Sequence, residues 1–279
     1  MYDAASLSDI GALQRATGEL CVTFRRRGEA TVLDDLRQAG CLKARFPRIE
    51  PDAWTTAVTL NTSGGVAGGD RLDSAFAVAA GGRATITAQA AERFYRALPG
   101  GDVARVRTRI AVADGAAMEW LPQETLLFDR CALDRRLCVE LANDAWFLGV
   151  ESLVFGRAAM GERIGQARVR DLIHVVRGGR VLLHDAIRLD GEVDAALQRK
   201  AIADGARAVA TVVHVAPNAE AALDDVRAAL RGVQGGVSAW NVMLLARILA
   251  AGGAALRTAV IAVLTMLRAQ RPLPRVWAC

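Results

Sequence analysis

Aromatic residues are scarce, at 5% of 279 residues, and lysine is nearly absent: 33 of the 35 basic side chains are arginine, with only Lys43 and Lys200 as exceptions. Proteins that bind single-stranded nucleic acid interleave basic clusters with aromatic platforms. Here the arginines are scattered and the one tight run is 25–27, so the net charge of +5 is not the footprint of a nucleic-acid binder. Long apolar runs are also missing. The apolar stretch between Arg257 and Arg268 holds ten residues, whereas a spanning helix needs about 20, so no membrane partner is expected. The start of the chain (Met1, Tyr2, Asp3, Asp9) lacks the basic-then-apolar pattern of a secretory signal, and the reading is a soluble, cytoplasmic protein. Five widely spaced cysteines (Cys21, Cys41, Cys131, Cys138, Cys279) without a Cys-x-x-Cys read as reduced, mostly buried thiols.

What the sequence has in quantity is period-two alternation. Leu20, Val22 and Phe24 alternate with Cys21, Thr23 and Arg25; Ala84, Ile86 and Ala88 with Thr85, Thr87 and Gln89. Ala104, Val106, Thr108, Ile110 and Val112 oppose Val103, Arg105, Arg107 and Arg109, and Leu137, Val139 and Leu141 continue the pattern. Each run predicts a half-buried antiparallel strand, with turns at 81–82, 99–101 and 114–115. Helices are predicted at 219–231, with Asn218 as N-cap and Gly232 as stop, and at 254–269, stopped before Pro272. The apolar segment 240–249 reads as a buried strand. No linker and no repeat divides the chain, so 1–279 reads as a single β-rich domain with two late helices.

The familiar chemical motifs are not there. The glycine cluster 61–70 follows a predicted strand, but glycines at 64, 65, 68 and 69 do not fit a nucleotide fingerprint, and Asp70 at its end would repel phosphate. It reads as a strand-to-strand turn needing positive φ or close backbone packing. His174, His184 and His214 form no His-x-x-x-His or His-Glu-x-x-His motif. His174 and His184 flank a hairpin turning at 178–179; a two-residue turn sets His174 against Leu183 and sends the two histidines to opposite faces, and only a three-residue loop would place them opposite each other. No Gly-x-Ser-x-Gly elbow marks a hydrolase. What remains is acidic residues embedded in apolar strands: Glu119, Glu124, Asp129 and Glu151. Such a carboxylate is solvated on an outward face, paired with an arginine, or lining a polar interior path.

At these residues the chain resembles the urease accessory protein UreD (UreH) family. The resemblance rests on 60–70, on 87–96 (Thr-Ala-Gln-Ala-Ala-Glu-Arg-Phe-Tyr-Arg), on 119–125 (Glu-Trp-Leu-Pro-Gln-Glu-Thr), on 151–157 with 159–162, and on 273–277, in the family's order across about residues 15–279. It implies a β-rich fold with helically wound strands and two α-helices, and a maturation chaperone rather than an enzyme. It also implies a complex with UreF, UreG and the urease apoprotein, admitting a homodimer, that delivers nickel to the urease metallocentre. GTP would be bound by UreG, not by this chain, which would hold no cofactor tightly and only nickel in transit. A conduit that captures and releases a cation favours spaced oxygen ligands over a closed Cys/His cage, and on this resemblance Asp70, Glu124, Asp129, Glu151 and Glu162 are the metal-passage residues. Arg93, Arg96 and Arg157 would pair with those acids or contact a partner, pairing being preferred because buried acids need partners. Trp277 and the C-terminal stripe read as core packing in preference to a docking surface. The alternative is a stand-alone β-rich metalloenzyme using His174, His184 and His214.

Overall fold

The computed structural model describes residues 14–48, 53–157 and 160–278; Met1, Tyr2, Asp3, Asp9, Ala159 and Cys279, invoked above, lie outside them. In chain order the strands are β1 (Thr17–Arg27), β2 (Ala30–Gly40), β3 (Leu42–Arg45), β4 (Thr55–Asn61), β5 (Arg71–Val78), β6 (Arg83–Ala88), β7 (Glu92–Phe94), β8 (Ala104–Val112) and β9 (Ala117–Leu121). They continue as β10 (Thr125–Leu127), β11 (Ala132–Leu141), β12 (Trp146–Phe155), β13 (Gln166–Arg177), β14 (Arg180–Glu192), β15 (Ala208–Val215), β16 (Gly235–Trp240) and β17 (Met243–Ala250). Helices are few: α1 (Val193–Leu197), α2 (Leu223–Ala229) and α3 (Gly253–Leu267). With 53% strand and 14% helix the protein is mainly β.

The strands form two sheets. One has the order β14-β13-β11-β8-β5-β1-β2; the other runs β16-β17-β15-β12-β9-β6-β4-β3, with β7 and β10 attached beside β12. From β4 to β13, setting aside the short β7 and β10, successive strands alternate between the sheets, so a strand's neighbour is one winding away along the chain and runs in the same direction. That corrects the antiparallel expectation: β6 pairs in parallel with β4 and β9, β8 with β5 and β11, and β11 with β13. Alternation reports that one face is buried, and it carries no information on the direction of the partner. The turns at 81–82 and 114–115 accordingly join strands of different sheets. Antiparallel pairing is kept for the ends of the sheets, as in β1/β2, β13/β14 and β15/β17.

Three layers result. Leu20, Val22, Phe24, Phe76, Ile110, Leu137 and Val139 from the first sheet meet Ile86, Met118, Trp120, Phe147 and Leu153 from the second in a common core. The opposite face of the second sheet packs Leu148, Val150, Val212 and Ile248 against Val226, Leu256, Val260, Val263 and Leu264 of the helices. Both faces of β12 are therefore buried, whereas the first sheet turns its other face to solvent and keeps a clean alternation. Trp277 is buried in the helix layer, donating its indole N–H to the Leu121 carbonyl at 3.1 Å. The 240–249 segment is strand, broken at 241–242 by a turn between β16 and β17. The 219–231 helix begins as a 3-10 turn, and Asn218 makes no side-chain cap.

Candidate functional site

A cavity of about 280 Å³ lies between the two sheets, near the glycine loop. Asn61, Gly65 and Glu92 line it at one side, and its lining includes Phe76, Trp120, Thr125, Arg135 and Glu151. The glycine loop shapes it: Gly65 has φ +141°, and a Cβ there would stand 2.3 Å from the Tyr95 ring, while one on Gly68 would meet the Ala97 Cβ at 2.7 Å. The loop is a close-packed turn, as its composition predicts.

Glu151 projects from the core face of β12, where its burial is almost complete (6% exposed). Trp120 Nε1–H donates to its Oε1 at 2.8 Å, and Arg135 Nη1 lies 2.7 Å from its Oε2. Arg135 also grips Asp171 with two bonds, Nε to Oδ1 at 2.8 Å and Nη2 to Oδ2 at 2.7 Å, and donates to Thr125 Oγ1 at 2.8 Å. The sheets are thus bridged by a buried triad of one guanidinium and two carboxylates. Burial pushes the Glu151 carboxyl above its ordinary range, against the opposing pull of Arg135; burial also works to lower Arg135, but the two carboxylates together outweigh it and push the guanidinium up. Glu92 is likewise raised, chiefly by burial; it accepts from Asn61 Nδ2 at 3.1 Å.

A second buried charge cluster sits on the opposite face of the same sheet. Glu119, fully buried, accepts from Arg268 Nε at 2.9 Å, from Arg271 Nη2 at 2.8 Å and from Thr85 Oγ1 at 2.7 Å. Arg268 caps the end of α3, so this cluster ties the C-terminal segment to β9 and β6.

The other acids singled out from sequence are dispersed. Asp70 is buried, and its two oxygens accept the Ala16 and Ala67 backbone N–H groups at 2.8 and 2.7 Å, closing the glycine loop. Glu124 meets Arg257 of α3 at 3.0 Å. Asp129 and Glu162 are neighbours: the Asp129 N–H points at Glu162 Oε1 at 3.4 Å, and Asp129 Oδ1 accepts the Gln166 N–H at 3.1 Å. Arg157 Nε bonds Glu162 at 2.7 Å, and that bond lowers the Glu162 carboxyl. Arg93 and Arg96 are exposed and, among the described residues, form no ion pair with these acids. Of the five acids, Glu151 alone lines the cavity.

Arg135 and Asp171 were not singled out, although a signal was present. Each interrupts an inward-facing apolar series, Leu133-Arg135-Leu137-Val139 in β11 and Ala167-Val169-Asp171-Ile173 in β13. A charge at an inward phase is either paired or costly.

The histidines do not converge. His214 is buried on the helix side of the second sheet, donating to the Phe147 carbonyl at 3.1 Å, and burial lowers its pKa to about 4. His174 and His184 stand on the outer face of the first sheet, and against expectation they face each other. The two-residue turn is present, pairing Arg177 with Arg180, but a bulge between Val175 and Val176 shifts the register and sets His174 opposite His184. Cys21, Cys41, Cys131 and Cys138 are free thiols; only Cys131 is buried, which pushes it up to about 12. Among the described residues no group of three or more His, Cys, Asp or Glu side chains is arranged to hold a metal ion, and no helix is long and apolar enough to cross a membrane.

Comparison with known proteins agrees with the motifs. The profile of the UreD urease accessory protein family matches residues 16–278. A urease accessory protein UreD from Methylobacterium sp. (strain 4-46) is 45% identical over 257 residues, covering 90% of both chains. That of Rhizobium etli is 42% identical over 264 residues (95% of this chain, 96% of the relative), and that of Ruegeria pomeroyi 45% over 256 (92% and 98%). Identity at this level, sustained from β1 to the C-terminal turn, places the chain in the UreD urease accessory protein family, with a role in urease maturation.

Proposed function

We propose that this chain is a non-catalytic cytoplasmic scaffold that, together with UreF and UreG, delivers nickel to apo-urease, the nucleotide chemistry residing in UreG. The observation that carries the reading is a cavity between two strand layers whose wall holds the buried Glu151 and Arg135, the latter also paired with Asp171. The two carboxylates of the lining, Glu92 and Glu151, offer a divalent cation oxygen donors, while the fixed Arg135 charge keeps any one site from holding it strongly. Oxygen donors also bind nickel less tightly than imidazole or thiolate cages, which favours transfer over storage.

Glu151 and Glu92, which line the cavity, are in this reading the carboxylates that would contact a passing ion. In this reading Asp129 and Glu162, paired near the surface, would serve as an outer station. Asp70 and Glu124 would act through structure, the first holding the glycine loop and the second holding α3.

The test is co-expression of the urease subunits with UreF and UreG, with and without this chain, followed by urease activity and nickel content. Activation is expected to require the chain, and Glu151→Gln is expected to lower nickel content several-fold in a protein that still assembles. Full activation without the chain would overturn the scaffold reading. Full activation with both Glu151→Gln and Glu92→Gln in place would overturn the cavity route.

A further inference from the structure

We propose that the solvent-facing side of the seven-stranded sheet carries a two-histidine site for a divalent transition-metal ion, formed by His174 and His184. The site is separate from the cavity and does not rest on the nickel-delivery reading.

The geometry is specific. The two rings lie 5.3 Å apart at 76°, and their Nδ1 atoms are 3.2 Å from each other. Imidazole nitrogens bind zinc-like ions at about 2.0–2.1 Å. Two such nitrogens on one ion are therefore separated by about 3.3–3.4 Å at a tetrahedral angle and about 2.8–3.0 Å at a right angle. The observed spacing falls between those limits, so both rings can reach a single ion without backbone movement. In the metal-free arrangement one Nδ1–H donates to the other Nδ1; for both Nδ1 lone pairs to face an arriving cation, the donor ring takes its Nε2–H tautomer, the proton moving through solvent from Nδ1 to Nε2 so that both ligands stay neutral imidazoles.

The pairing is also built by an irregularity. An undistorted hairpin on the same two-residue turn would set Leu183 opposite His174. The bulge adds one residue to β14, matching Val175 with Leu183 and His174 with His184. Bulges are a recurrent means of re-aiming a side chain, and here the consequence is two imidazoles on one face.

The donor chemistry selects the ion. Neutral imidazole suits zinc, copper and nickel, and gives magnesium and calcium little. Cys138 occupies the next position of the same row, in register with His174 on β11, as a half-buried free thiol. Arg109 follows it on β8. With two protein nitrogens and water in the remaining positions, the site would exchange its ion readily.

The experiment is calorimetric titration of the untagged full-length chain with Ni(II) and with Zn(II), and with Co(II) for its visible ligand-field spectrum. One equivalent is expected to bind, weakened at least about tenfold in His174→Asn and in His184→Asn and lost in the double variant. Both side chains are on an open strand face, and circular dichroism would establish that the variants fold. Cys138→Ser is expected to retain binding. Stoichiometry and affinity unchanged in the double histidine variant would overturn the proposal, as would loss of the ion in Cys138→Ser alone. Because the readout is binding by the isolated chain, its failure leaves the activation assay untouched, and the reverse also holds.

Discussion

Arg135→Met removes the positive charge standing between Glu151 and Asp171, at a place where all three residues are at most 8% exposed. Each arginine–carboxylate contact is 2.7 Å at its closest. A pair of unit charges about 4 Å apart at an effective dielectric of about 20 is worth about 4 kcal/mol. Most of that is cancelled by the desolvation of the ions when the intact triad is compared with an apolar replacement. Removing one partner leaves the desolvation uncompensated and costs about 3–5 kcal/mol. Here two carboxylates are stranded side by side, so the upper end, about 5 kcal/mol, is expected, against a total stability for a typical domain of about 5–15 kcal/mol.

The assay is urea unfolding followed by circular dichroism, comparing midpoint and slope. The companion variant Arg135→Met with Glu151→Gln and Asp171→Asn carries no stranded charge and should regain most of the loss. The single variant should also regain stability as pH is lowered. Burial already raises the Glu151 carboxyl against the pull of Arg135; without that pull the folded state holds the Glu151 proton more firmly than the unfolded chain and is favoured by acid. A single variant within about 1 kcal/mol of the parent, or a triple variant no better than the single, would refute the account of the triad as a charge-balanced bridge.

Further outcomes follow from other parts of the molecule. His214, at about 4 when folded against 6.5 in the unfolded chain, stays neutral while the unfolded chain takes up a proton. Stability should therefore fall as pH drops from about 6.5 to about 4, by a total of about 3 kcal/mol, and His214→Leu should remove that part of the pH dependence in urea midpoints. Glu119→Leu strands Arg268 and Arg271, and hydrogen exchange should show faster opening of 253–267, with a cost of about 3–5 kcal/mol; unchanged protection of α3 would contradict the tie to β9. Gly65→Ala forces a Cβ to 2.3 Å from the Tyr95 ring at φ +141°, so a loss of about 1–3 kcal/mol is expected in thermal unfolding.

Local periodicity was enough to locate most of the strands, both late helical segments and the buried strand after 240, because a strand with one buried face and a helix with one buried stripe each repeat their own geometry in the residues. It also marked the chemistry: Glu151 stands out as an acid in an apolar run, and Arg135 and Asp171 were legible in principle as charges at inward phases. The motifs at 60–70, 87–96 and 119–125 carried the family, because they hold the glycine turn and the edge of the cavity.

What the residues of one strand do not encode is which strand comes to lie beside it. The parallel pairing, the meeting of Arg135 with Glu151 across two sheets, and the separation of Asp70 and Glu124 from the cavity all depend on how successive strands divide between layers, a property of contacts distant in sequence. The same applies to His174 and His184. The turn chemistry at Gly178 and Gly179 set the hairpin correctly, but a single extra residue in one strand decided which face the second histidine occupies.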